Sequence, residues 1–155
     1  VAIVGLGNIL KDGSLWHRKC AQRIDIVSRS QLVVANNQDE TSDHYLDYPN
    51  NLPGTSTRGL IAFRAGWITA LSCVLTVSVE TTPGTIDVEA HVNGSSVFSF
   101  TITTSGTGEY TNQVTQGIDI DAIAAGDVLN VALVFGTFVG TVNDTVGALE
   151  ITWAE

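Results

Sequence analysis

The sequence predicts an all-β protein, an antiparallel β-sandwich carrying an irregular N-terminal arm. Three observations predict it. From Gly59 onward, short apolar or alternating runs are separated by turn-forming pairs at nearly even spacing, the pattern of a sandwich or barrel. The same stretch is rich in Val, Ile, Thr, Ser and Gly, which suit pleated strands and tight turns. All 7 Lys and Arg residues fall at or before Arg64, and beyond it every charged side chain is acidic. The front of the chain is therefore built differently from the body. A chain of 155 residues is enough for one core. The expected division is residues 1–58 as arm and long loop, partly packed on the body and serving attachment and assembly, and residues 59–155 as the sandwich.

Taken in order, Val1–Leu10 is apolar with glycine joints and reads as an arm that packs on a partner. It is too short to span a bilayer, and it lacks the basic start of a secretory signal. Gly5-Leu6-Gly7 after an apolar strand suggests a dinucleotide fingerprint, but the third glycine is replaced by Leu10 and no βαβ rhythm follows. Trp16-His17-Arg18-Lys19-Cys20 is the one cationic cluster. It is too small for a nucleic-acid site. Trp16, Arg18 and Lys19 are expected instead to contact an acidic neighbouring surface, for which the body of an adjacent copy would serve.

Ile24 with Ile26, and then Leu32-Val33-Val34, suggest two short strands. Asn36 to Asp43 is a polar loop, and Tyr45 to Gly54 is a connection pinned by two prolines. Long loops are kept where they contact something, so this one is expected to bind or assemble. Tyr45 and Tyr48, with Trp67, are the candidate ligand contacts, because aromatics carry much of the energy of an interface.

The expected body strands are Leu60–Arg64, Trp67–Val79, Thr85–Val92, Val97–Thr103, Glu109–Thr115, Val128–Phe135 and Leu149–Trp153, with one helical turn over Ile118–Ala125. Around Asn93-Gly94 the apolar faces must meet. A three-residue turn, Val92-Asn93-Gly94, achieves this by setting Val88 against Phe98 and Ile86 against Phe100. In Val128–Phe135 the set Leu129, Val131, Leu133 and Phe135 faces inward, yet Val128, Ala132 and Val134 are apolar too. A strand apolar on both faces is covered on both, and a neighbouring subunit is the simplest cover. Val134 and Phe138 are accordingly placed near an assembly axis.

The chemistry of sites is sparse. Cys20 and Cys73 either pair or remain one semi-exposed and one buried thiol. Zinc lacks a second ligand pair. The acids Asp39, Glu40, Asp43 and Asp47, or Asp119, Asp121 and Asp127, match no calcium loop and read as solvated. Asp87 and Glu89 share a strand face with His91, but no nucleophile signature brackets them. No enzyme activity, cofactor or metal is expected. The formal net charge of −9 disfavours nucleic acid and anionic membranes as partners.

Gly66-Trp67-Ile68-Thr69-Ala70, Pro83-Gly84-Thr85-Ile86-Asp87-Val88, Val92-Asn93-Gly94-Ser95-Ser96-Val97, Ala125-Gly126-Asp127-Val128-Leu129 and Gly147-Ala148-Leu149-Glu150-Ile151-Thr152-Trp153 carry a resemblance. The segment from Gly66 to Glu155 resembles the jelly-roll modules of tailed-bacteriophage virion proteins: tail fibres, head fibres and capsid decoration or cement proteins. The resemblance implies a jelly-roll sandwich, a homotrimer, attachment to the virion and its other proteins through the front of the chain, and no catalytic residues. The alternative expectation is a carbohydrate- or receptor-binding module, with a host-surface glycan as its partner.

Overall fold

The computed structural model describes residues 28–36, 38–47 and 54–154. Trp16, Arg18, Lys19, Cys20, Ile24, Ile26 and Tyr48 lie outside the described residues. Ten strands are described: β1 (Ser28–Asn36), β2 (His44–Tyr45), β3 (Leu60–Ile61), β4 (Gly66–Thr82), β5 (Thr85–Val92), β6 (Ser95–Thr103), β7 (Gly108–Thr115), β8 (Asp121–Ile123), β9 (Val128–Phe135) and β10 (Val139–Trp153). They form two antiparallel sheets, β1-β10-β4-β7 with β8 on β4, and β2-β9-β5-β6 with β3 on β9.

This order is a rolled double ribbon. β1 pairs β10, β2 and β3 pair β9, β4 pairs β7, and β5 pairs β6. Rolling that ribbon brings β10 onto β4 and β9 onto β5. The result is the jelly roll, in which each sheet alternates strands from the two halves of the ribbon. Strands on both sides of residue 58 share each sheet, since β1 and β2 come from the front of the chain.

Period-2 alternation sends one face of each strand into a common core. Leu32 and Val34 from β1, Leu71 and Leu75 from β4, Ile86 and Val88 from β5, Leu129 and Leu133 from β9, and Leu149 and Ile151 from β10 meet there. The strand Val128–Phe135 has its expected bounds and its expected inward set. Its second face is covered differently from expectation. Ala132 is 4% exposed and Asn130 fully buried within the single chain. Tyr45 lies opposite Ala132 on β2, Glu89 on β5. The Asn130 side-chain amide donates to the Thr55 carbonyl (2.8 Å), so the turn after Gly54 folds over this face. The chain itself thus covers the middle of this face, while Val128 and Val134 at its ends stay half-buried. Phe138 is interior, 4% exposed with its ring centroid 5.6 Å from that of Phe135. Val134 is half-buried on β9, opposite Asp87.

The hairpin corrects a second expectation. Val92 pairs Ser95, so the loop is the two-residue Asn93-Gly94 turn, both residues at positive φ (+53° and +81°). The apolar faces are brought together by a bulge that leaves Val97 unpaired. Ala90 then faces Phe98, Val88 faces Phe100 and Ile86 faces Ile102. The helical turn expected over residues 118–125 is absent: Asp119 takes φ +73° and Asp121–Ile123 joins β4 as β8. Asn143-Asp144, a turn-forming pair by sequence, is a bulge inside β10, with Asp144 at φ +46°. A positive-φ residue serves either purpose.

Asp127 ties the hairpin tip to β9. Its carboxylate accepts from the Ala124 amide (2.7 Å) and from the Asn93 side chain (2.8 Å). The Ala124 hydrogen bond first, and then Asn93, hold its pKa below the usual carboxylate value. The unfolded chain therefore binds this proton at higher pH than the folded chain. The resulting stability is present above the ordinary Asp range and is lost as pH falls through the lowered value. Asp127→Asn is expected to flatten the acid side of the melting-temperature profile below about pH 4. An unchanged acid limb would show that the cap contributes nothing.

Candidate functional site

Two surfaces stand out. The first is the outer face of the β1-β10-β4-β7 sheet. Alternation turns Leu32, Val34, Leu71, Cys73 and Leu149 inward, so their neighbours point out. Register aligns these neighbours in two rows across four strands: Val33, Ala148, Ser72 and Gln113, then Ala35, Val146, Val74 and Thr111. Neither row holds a charge. Val33 is 49% exposed, Val146 44% and Val74 36%. A shallow depression of about 510 Å³ lies here, lined by Ser72, Val74, Thr111, Gln113, Val146 and Ala148 among others. Charge returns in the next row at Glu150, which lies opposite Gln31 and meets Arg29, from the row beyond, at 3.3 Å.

Cys73 lies beneath this face, 1% exposed, and no disulfide engages it. Burial pushes its thiol up to about 12. In the native protein Cys73 is expected to resist a thiol reagent at pH 8 and to react once denaturant is added. Fast native reaction at Cys73, located by peptide mapping, would contradict its burial.

The second surface is a polar groove of about 510 Å³ at the rim of the other sheet. Asn36, Gln38, Glu40, His44, Tyr45, Asp47 and Gly54–Ser56 line it. Its walls are tied down on each side. Ala35 bridges Asp47 and Glu40 bridges Val142 through paired backbone hydrogen bonds. Asp43 accepts from the Phe135 amide (2.7 Å), and Asp39 accepts from the Asn143 side chain (3.2 Å). Gly54 packs so closely on the Leu46 carbonyl that a side chain there would collide with it. These acids, first read as solvated, are therefore partly fasteners of the long loop. Among the described residues no group of three or more His, Cys, Asp or Glu side chains is placed to hold a metal.

Beside the groove, the Tyr45 hydroxyl meets His91 Nδ1 at 3.2 Å, and His91 Nε2 meets Glu89 at 2.8 Å. His91 is 8% exposed, so this chain of contacts fastens β2 to β5 rather than facing solvent. Asp87 accepts from the Thr101 hydroxyl (2.5 Å). His44 spends Nδ1 on the Ser42 carbonyl (2.9 Å), while its Nε2 is shielded without a partner among the described residues.

Of the candidate ligand contacts, Tyr45 borders the groove, whereas Trp67 lies half-buried on β4 in the opposite sheet. The structure does not bring them together. The long loop was flagged by its length, but Asn36, Gln38, Glu40 and Asp47 were not singled out as one site. The apolar face was missed too, although Val74 stands out of phase with Leu71, Cys73, Leu75 and Val77.

The strand order and these two surfaces define a jelly-roll β-sandwich module. No family model matches the chain. No curated protein matches its sequence. Similar solved structures include one of infectious bursal disease virus Gx strain, at 13% identity and TM-score 0.42, covering 83% of this chain and 32% of that one. Dimeric latent PorU from Porphyromonas gingivalis aligns at 8% identity and TM-score 0.42, over 82% of this chain and 13% of that one. The catalytic unit of a thermostable GH87 alpha-1,3-glucanase from Streptomyces thermodiastaticus strain HF3-3 aligns at 20% identity and TM-score 0.39, over 80% and 26%. This chain spans less than a third of the length of each. At these scores the fold assignment rests on the strand order itself.

Proposed function

We propose that this chain is a non-enzymatic structural protein of a tailed-phage virion. In this reading it forms a homotrimer, is held to the particle and its other proteins by the N-terminal arm, and acts as a fibre or capsid-decoration component. The virion assignment is supported by the sequence resemblance over Gly66–Glu155. The observation that carries assembly is the uncharged double row on the β1-β10-β4-β7 sheet, with Val33, Val74 and Val146 substantially exposed.

The chain carries a formal charge of −9, so most of its surface repels an identical copy. A flat apolar face without charge is where copies can meet without that cost, and burying it removes apolar area from water. Neither Val74 nor Val146 belongs to the core, so an acid at either position should leave the fold intact.

The test is Val74→Asp and Val146→Asp in the full chain, read by light scattering with chromatography. The wild type is expected at three chain masses, and each variant at one, with an unaltered far-ultraviolet dichroism spectrum. A trimer that persists in both variants would place the interface elsewhere and overturn this assignment.

A further inference from the structure

We propose that the polar groove receives the cationic segment of the arm, Arg18 and Lys19, from a neighbouring copy. This rests on the assembly reading above and names the site at which the arm binds.

The groove is electrically unbalanced. Glu40 and Asp47 line it, and no Lys or Arg among the described residues does. Glu40 spends one oxygen on the Asn36 amide (2.9 Å) and keeps the other. The Asp47 carboxylate accepts no hydrogen bond from the described residues, and neither acid belongs to an ion pair there. Arg58, the nearest cation in sequence, is exposed and does not line the groove. Residues 36–47 hold Asp39, Glu40, Asp43 and Asp47 and no Lys or Arg.

The complement lies elsewhere in the same chain. Residues 11–23 hold Lys11, Arg18, Lys19 and Arg23 against Asp12 alone. A guanidinium can take a carboxylate with two parallel hydrogen bonds, and the Tyr45 ring at the border offers a further contact for a cation. The volume, about 510 Å³, is that of a site for a small ligand or a pair of side chains.

Chain length favours a neighbour's arm. The groove lies at the Asn36 end of β1, whereas the arm joins at Ser28. At strand rise the two ends are about 26 Å apart. The stretch from Lys19 to Ser28 reaches about 30 Å when fully extended. The groove of the same chain is thus reached only by an almost straight return along the body. A groove on an adjacent copy is not tied to the length of the arm's own β1.

The experiment uses a synthetic peptide of residues 11–23, titrated calorimetrically into the full-length Arg18→Glu/Lys19→Glu variant, whose own arm cannot compete. Saturable binding is expected. It should weaken about tenfold or more when Glu40→Gln and Asp47→Asn are added, and when salt rises from about 0.05 M to about 0.5 M. Both groove changes are near-isosteric, and an unchanged melt confirms the fold. As a second arm, Glu40→Lys/Asp47→Lys is expected to lose the wild-type peptide and to gain one with Arg18 and Lys19 replaced by Glu. Absent binding, or binding indifferent to both groove variants, overturns the proposal, as does a groove that takes a neutral glycan and not the peptide. A trimer without groove-dependent binding sinks this inference alone. Groove-dependent binding to a wild type that is monomeric sinks the trimer and leaves the groove standing.

Discussion

Replacing Trp153 by Ala is expected to cost about 3–5 kcal/mol of stability, the range for deleting a large buried aromatic. The residue is 2% exposed at the end of β10, where it sits opposite Ser28 on β1 and Gly66 on β4. Its indole N–H donates to the Ser30 hydroxyl at 2.6 Å. The Phe63 ring packs on it with centroids 4.6 Å apart, and the Arg64 guanidinium lies 5.7 Å from the ring centre. One side chain thus closes the end of the sandwich and joins the front strand to the body. Total stability of an ordinary domain is about 5–15 kcal/mol, so the urea midpoint should fall sharply with little change in slope. Trp153→Phe keeps most of the burial and drops the hydrogen bond, and should lose only about 1 kcal/mol. A loss below about 1 kcal/mol for Trp153→Ala would mean that the end of the sandwich is not closed as described.

Gly84→Val is the second large effect. Gly84 lies in the link that carries the chain from β4 in one sheet to β5 in the other. Thr104, 2% exposed, holds this link from both sides: its amide donates to the Gly84 carbonyl (2.8 Å), and its hydroxyl accepts from the Gly84 amide (3.1 Å). A Cβ on Gly84 would run into the backbone of Thr137 and Phe138, lying 2.6 Å from the Phe138 Cα. Backbone cannot swing aside as a flexible side chain can. The cost should therefore reach or exceed the about 1–3 kcal/mol of ordinary overpacking. Gly117→Val is the matched control, since the added Cβ would meet only the Ile120 Cδ1 at 4.0 Å. It should shift stability by no more than about 0.5 kcal/mol. Equal effects at the two glycines would show that the Gly84 contact is not as close as described.

The strands were readable because alternation in Ile86–Val92 or Leu149–Trp153 reports directly on which face is buried. Parity was less informative at the Asn93-Gly94 turn. It demanded that apolar faces meet, but an odd turn and an even turn with a bulge satisfy that demand equally, and only the paired backbone distinguishes them. The second face of β9 shows a different limit. Its apolar residues required a cover, and nothing local said that the chain itself would supply it. Asn130 was the available signal, because an amide inside an apolar strand needs a partner on that face. The groove was legible only as a long loop with many acids. Which carboxylates fasten the loop and which stay unspent depends on Phe135 and Asn143, about a hundred residues away in sequence.

The most direct test is the mass of the unmodified full chain at micromolar concentration, measured by light scattering across a tenfold dilution. Three chain masses are expected throughout if copies bury the uncharged face of the β1-β10-β4-β7 sheet and assemble in the number that the sequence resemblance implies. A single chain mass at every concentration, with Val33, Val74 and Val146 left in water, would contradict it.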